Sequence, residues 1–328
     1  MEFFKGNLLI VLLLGWIQFY TPLLAQSSLT HCTFQEPRLG TTITCNAYLS
    51  DSLDAHIVES EFFELLDSLN LIFSDYIPDS EINDLCRAGY MNWIKVSGPL
   101  FDLLTISKKI TRYSDNQFDI TMGSLSHLWR KSTQQGQVPS KKQIRKALNK
   151  VGFENIWLDT SEMRVQLRKK DMQLDFGGIA KGYLGDQLAQ FLRSRNIQSY
   201  LIDLGGDLVV GDAPPGKASW KIQVPNLDTT FMLTNMAIAT SGPDYQFFDY
   251  KGKRYSHILD PQTGWGISTP FSSTVLAQKG YLADALASAF SLMNRDECLA
   301  LSRKFPEIAY FLQKDDHIHQ RNDNYHTE

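Results

Sequence analysis

The sequence predicts a fold that mixes helices and strands, on two observations. Segments with apolar residues at helical spacing alternate with short apolar runs of strand character, and the strand-like runs dominate the second half. The 328 residues are 43% hydrophobic and 12% aromatic, ample material for a sizeable core. By length alone the chain forms one large domain or two intimate lobes.

Thr41 to Leu49 reads as a strand, and Ala55 to Ile72 as a helix with Ile57, Val58, Phe62, Leu65, Leu66 and Leu69 on its apolar side, ending before Pro78. Leu100 to Tyr113 and Ser124 to Trp129 follow as helices, and the polar stretch Lys131 to Lys142 as a surface loop. Asn155–Leu158, Arg164–Leu167 and Gln173–Phe176 read as strands, and Tyr183–Leu192 as an amphipathic helix. Strands at Tyr200–Leu204, Leu208–Gly211, Trp220–Val224 and Met236–Thr240 precede a helix at Leu282–Met293, rich in small residues. The hydrophilic stretch 314–328 reads as a flexible polar tail, its histidines solvated.

The ends and the cysteines set the compartment. Lys5 precedes an apolar run from Leu8 to Ile17, and the segment closes with Leu23-Leu24-Ala25, so residues 1–25 read as a signal peptide or an N-terminal anchor. The expected location is therefore extracytoplasmic, in the periplasm. Cys32, Cys45, Cys86 and Cys298 match no zinc spacing; export permits disulfides, but a domain of this size does not require them. Cys86 and Cys298 lie in helical stretches and read as buried small hydrophobes. A net charge of -4 from well-mixed charges implies no basic face for nucleic acid.

Asp175-Phe176-Gly177-Gly178-Ile179-Ala180-Lys181-Gly182 follows a strand and opens a helix. Glycines at such a turn let the backbone approach a phosphate, the helix start offers N–H groups, and Lys181 adds charge; the same residues also serve as ordinary turn chemistry. The spacing is neither a dinucleotide fingerprint nor a P-loop, and no H-R-D loop makes Asp175-Phe176-Gly177 a kinase element. Asp284 and Ser288, four apart, share a helix face and supply hard oxygen ligands suited to Mg²⁺; an Asp and a Ser there also serve as a helix-start cap. His257, three residues before Asp260, suits proton transfer or a hydrogen-bonded core position. A glycine turn, a metal carboxylate and one base together suffice for phosphoryl transfer.

Three extended motifs carry a family resemblance: D-F-G-G-I-A-K-G-Y at 175–183, Y-S-H-I-L-D-P-Q-T-G at 255–264 and A-D-A-L-A-S-A at 283–289. With Leu39-Gly40-Thr41, the segment Tyr76 to Asn83, Phe118-Asp119-Ile120-Thr121 and Leu204-Gly205-Gly206-Asp207 in the same order, nearly all of residues 26–313 resembles the ApbE family of FAD:protein FMN transferases.

That resemblance implies one large α+β domain enclosing an elongated FAD site, and Mg²⁺-dependent transfer of FMN from FAD to a threonine or serine hydroxyl of an exported or membrane redox protein, releasing AMP. By the same resemblance the metal is held by the Ala180 carbonyl, Asp284 and Ser288, with the Ala287 backbone close by. FAD is contacted around Leu39, Tyr76, Gln117, Phe118, Asp119, Gly177, Tyr183 and Ile258. His257 is the expected base, with Asp260 as its helper or alternative. Leu39 replaces a methionine, Ser288 a threonine, and Asp207 stands where many members carry asparagine. The competing readings are an FAD pyrophosphatase giving FMN and AMP, and a non-catalytic exported FAD-binding protein.

Overall fold

In the computed structural model, residues 28–224, 227, 229–242, 247–267, 271–314 and 317–321 are described. The segment 1–25 lies outside them. The first half comprises β1 (Leu29–Arg38), β2 (Thr41–Ser50), α1 (Ala55–Phe73), α2 (Glu81–Ala88), β3 (Ile94–Lys95), α3 (Gly98–Tyr113), α4 (Gly123–Gln134), α5 (Lys141–Leu148), β4 (Ile156–Asp159) and β5 (Arg164–Leu167). It continues with α6 (Ala180–Ser194), β6 (Tyr200–Asp203), β7 (Leu208–Val210), β8 (Trp220–Val224), β9 (Thr229–Leu233) and β10 (Met236–Ser241). Last come β11 (Phe247–Tyr250), β12 (Lys253–Ser256), β13 (Ser272–Ala277), α7 (Gly280–Phe290), α8 (Arg295–Ser302), β14 (Ala309–Lys314) and β15 (His317–Arg321).

Eight strands form the main sheet in the order β1-β2-β6-β7-β10-β13-β14-β15, and every pairing in it is antiparallel. Its inward residues, among them Ile43, Cys45, Ile202, Val209, Ala239 and Val275, join one apolar core with Phe62 and Leu66 of α1, Leu103 of α3, Leu188 of α6 and Leu286 of α7. The other face is covered by the β8–β9 hairpin, whose Ile222 and Phe231 pack with Val210, Ile238 and Phe311. This helix-and-hairpin sandwich is the predicted α+β architecture.

Several elements differ from the sequence expectation, each for a physical reason. Gln173–Phe176 is extended but pairs in no strand. The polar stretch 131–142 is largely helical at its ends, with α4 running to Gln134 and α5 starting at Lys141 behind a Ser140–Gln143 capping box. Residues 29–38, assigned to no element from the sequence, form the edge strand β1, polar because only one side of it is covered. The tail expected from Lys314 instead turns back as β15, with Lys314 opposite His317; residues 322–328 lie outside the described part. All four cysteines are free thiols.

Two helices cross at the centre of the fold. Gly182 of α6 and Gly280 of α7 meet backbone to backbone, and a Cβ on either would run into the other's carbonyl. Each helix then caps the other: Asp284 Oδ2 of α7 accepts the Gly182 N–H at 3.0 Å, while Asp186 of α6 accepts the Gly280 and Tyr281 N–H groups at 2.9 and 3.1 Å. These N–H groups at helix starts lack intrahelical partners, so the exchanged carboxylates satisfy both ends. Gly182→Ala must push the pair apart, and we expect it to lower unfolding free energy by about 1–3 kcal/mol in urea titration.

Candidate active site

The 175–182 turn is built by local hydrogen bonds. Asp175 Oδ1 accepts the Gly177 N–H at 2.7 Å, and the Ile179 and Ala180 N–H groups close onto the Phe176 carbonyl at 2.9 and 2.8 Å. Phe176 is buried edge-on against Phe73, which leaves Gly177 facing solvent. Ser288 arrives from α7 against the turn: a Cβ on Gly178 would come 2.8 Å from Ser288 Oγ and 3.6 Å from the Phe118 ring. Glycine at 178 therefore keeps room between the serine hydroxyl and the turn.

Asp284 is buried, one turn before Ser288 on the same helix. Burial and the neighbouring Asp207 charge push its carboxyl up to about 7, against the pull of Lys181 and the Gly182 N–H. Lys181 forms an ion pair with Asp207. Burial alone would lower the Lys181 ammonium, yet Asp207 and Asp284 outweigh it and raise it. Asp207, left undecided by the sequence, thus points inward, and two buried carboxylates face one ammonium. The surplus negative charge makes the pocket a place where a cation is favoured.

Among the described residues, no group of three or more His, Cys, Asp or Glu side chains is disposed to hold a metal. The oxygen groups at the α6–α7 crossing are instead the Asp284 carboxylate and the Ser288 hydroxyl, with Ala180 opening α6. Magnesium fits that oxygen-only set, since it commonly takes one or two carboxylates and completes its shell with water and phosphate. The Ala287 carbonyl is the poorest candidate: it already accepts the Ser273 hydroxyl at 2.7 Å and the Ser291 N–H at 3.2 Å.

The remaining candidates divide. Leu39 occupies the β1–β2 turn with φ 54, packed on the main core. Tyr76 is 72% exposed on the α1–α2 connection. Phe118 reaches the glycine turn, whereas neighbouring Asp119 is buried and accepts the Thr121 N–H and hydroxyl at 2.8 and 2.7 Å. Gln117, half-buried, uses its N–H on the Ser114 carbonyl. Tyr183 puts its ring in the core against Phe73 and donates its hydroxyl to Asp102 of α3 at 3.0 Å, so its side chain is structural.

His257 is exposed at the foot of the β11–β12 hairpin. Ile258 beside it is fixed by the Ser256 hydroxyl on its N–H and the Ile267 N–H on its carbonyl. Asp260 spends both oxygens on closing its turn, accepting the Gln262 N–H at 2.8 Å and the Thr263 hydroxyl at 2.7 Å. That loop is bound to α4, because the Trp129 indole donates to the Gly264 carbonyl at 2.8 Å and packs on Tyr255 and Trp265.

Sequence reasoning missed a charged cluster beside the turn. Arg130 and His127 of α4 both reach Asp75 Oδ2, at 2.8 and 2.9 Å, and Arg130 lies 4.0 Å from Asp175. Burial works against the Asp75 charge, but these two partners outweigh it and hold the carboxyl below the usual range. Asp102 and Asp186 were missed too; their partners lie 81 and 94 residues away, a separation that no local pattern signals.

Comparison with known proteins bears on the family and the fold. The ApbE family model matches residues 39–312. A Klebsiella pneumoniae protein named FAD:protein FMN transferase is 28% identical over 279 residues, covering 84% of this chain and 87% of its own. The apo flavinyl transferase ApbE of Pseudomonas stutzeri superposes with a TM-score of 0.79 at 26% identity, over 89% of this chain and 94% of that one. The ApbE protein of Thermotoga maritima gives 0.80 at 26% identity, over 89% and 97%.

Asp284 holds its proton to about pH 7 when folded and ionises near 3.8 when unfolded, so its contribution is complete at low pH and is lost as pH rises through 7. In EDTA, wild type should therefore lose melting temperature relative to Asp284→Asn between about pH 4 and 7, with no further relative loss above that, as read by calorimetry.

Proposed function

The chain belongs to the ApbE family, and from that premise we infer that it is a flavin transferase that moves the FMN half of FAD onto a threonine or serine hydroxyl of another protein. The acceptor oxygen attacks the phosphorus on the FMN side. A phosphoester bond forms, the bridging P–O bond breaks, and AMP leaves with the electron pair of that bond. The reaction neither oxidises nor reduces the flavin.

The observation that carries this reading is the meeting of the glycine turn, the buried Asp284 carboxylate and the Ser288 hydroxyl at one helix crossing. Phosphoryl transfer asks the protein mainly to position phosphates and offset developing charge. The solvent-facing Gly177 gives diphosphate oxygens close access to backbone, and Lys181 adds charge at the start of α6. Asp284, Ser288 and the Ala180 carbonyl would hold Mg²⁺, whose contribution when bound is to offset charge on the diphosphate and the leaving group. Exposure of His257 suits a base that must take a proton from a hydroxyl arriving on a separate protein. Asp260 then acts through the turn that presents His257, rather than as a second base.

The natural acceptor is an exported or membrane redox protein with a short Ser/Thr segment, and the enzyme works outside the cytoplasm. The apolar run Leu8–Ile17 supports that location.

Asp284→Ala should reduce flavin transfer at least about a hundredfold, the scale of removing a main electrostatic group from a transfer site. Mass spectrometry of a candidate acceptor with FAD and Mg²⁺ reads it directly. Wild-type transfer in that variant would sink the metal assignment, and free FMN plus AMP with an unlabelled acceptor would make the enzyme a pyrophosphatase. His257→Ala should slow transfer about 10²- to 10⁴-fold, the usual worth of a general base, with the loss largest at high pH, where the imidazole is neutral, and shrinking at low pH if a base is what was removed.

A further inference from the structure

Tyr76 is the most exposed large apolar side chain among the described residues, at 72%, yet its backbone is pinned by hydrogen bonds and one face of its ring is covered. Its own N–H donates to Ser74 Oγ at 3.3 Å. The Asn83 amide donates to both flanking carbonyls, those of Asp75 and Ile77, at 3.2 and 2.8 Å. Arg87 fixes the next carbonyl along, that of Pro78, at 2.6 Å. Under the ring lies the Arg130 guanidinium, 3.8 Å from the centroid, a stacking distance.

An exposed aromatic on a loop normally keeps its rotamer freedom, and fixing one without burying it forgoes the hydrophobic return. The arrangement has a use when something else covers the free face. Arg130 is itself fixed, since Asp75, with its side chain only 6% exposed, binds it at 2.8 Å while His127 occupies the same oxygen. The plate also belongs to the glycine turn: Asp175, which caps the Gly177 N–H, lies 4.0 Å from Arg130.

We infer that Arg130, anchored by Asp75, is a positioning residue that keeps the Tyr76 ring as a rigid platform for one of the planar rings of FAD. This rests on the proposed reading that Tyr76 contacts FAD, and adds the device that makes the contact strong: the order of the ring is established before the ligand arrives. Guanidinium is required rather than any cation, because only a flat group can back the ring across its width while its edge binds a carboxylate.

The test measures FAD affinity by the change in flavin fluorescence, on the full chain with acceptor absent, for wild type, Tyr76→Ala, Arg130→Gln and Arg130→Lys. Tyr76→Ala should weaken FAD binding about tenfold, the scale of one lost ring-on-ring stack. Both Arg130 variants should weaken it about three- to tenfold, and in turnover the loss should appear in KM for FAD rather than in the rate at saturation. Arg130→Lys is the decisive variant, since it keeps the ion pair with Asp75, protects the fold and removes only the flat face. Wild-type affinity in Arg130→Lys, with Tyr76→Ala weakened, would overturn the clamp and leave the Tyr76 contact standing. Wild-type affinity in Tyr76→Ala would overturn the contact and the clamp together.

Discussion

The structure depends on the crossing of α6 and α7, where two glycines touch and two carboxylates are exchanged. Each helix start needs an acceptor, and each finds it on the other helix rather than in its own N-terminal turn. The register of the pair is fixed at two points about one helical turn apart on either side of the glycine contact, which leaves little freedom to slide or rotate. The residues before α6 form the glycine turn, and the residues inside α7 carry Asp284 and Ser288. Fixing the crossing thus fixes the distance between the backbone of the glycine turn and the Asp284 and Ser288 oxygens.

That geometry has an electrostatic cost. Asp284 is buried next to Asp207, with a single ammonium between the two carboxylates, and its carboxyl is held up to about 7. A structure optimised for stability alone would place an amide or an apolar residue there. Retaining the acid leaves a buried carboxyl whose ionised form is disfavoured, so stability is given up at this position. The Lys181–Asp207 pair moderates this loss without cancelling it.

Periodicity recovered the longer helices, α1, α3, α6 and α7, because there the pattern of apolar residues is a direct projection of the core, whereas the short helices α2, α5 and α8 escaped it. The face shared by Asp284 and Ser288 and the turn before α6 were legible for the same reason: four residues make one helical turn, and glycines at a strand-to-helix junction mark close approach. Other features were hidden. Tyr183 lies inside a site motif, but its ring turns into the core toward Asp102, and no motif records which way a side chain points. Asp260 looked like a partner for His257 and is a turn cap. Edge strand β1 was passed over because its exposed side leaves too few apolar residues to count. Two capping boxes, Ser140–Gln143 and Asn294–Glu297, were local signals for α5 and α8. Arg130 had no such signal: its partners Asp75 and Tyr76 lie more than fifty residues earlier, brought together only by the fold.

Helix α4 ties two distant stretches of chain to one rod. Through Arg130 and His127 it grips the α1–α2 connection, and through Trp129 it grips the loop that bears His257. Residues 127 and 130, three apart, share one side of α4, and Trp129 projects from another. The α1–α2 connection that carries Tyr76 and the loop that carries His257 are therefore held by one helix, and a displacement of α4 would reach both.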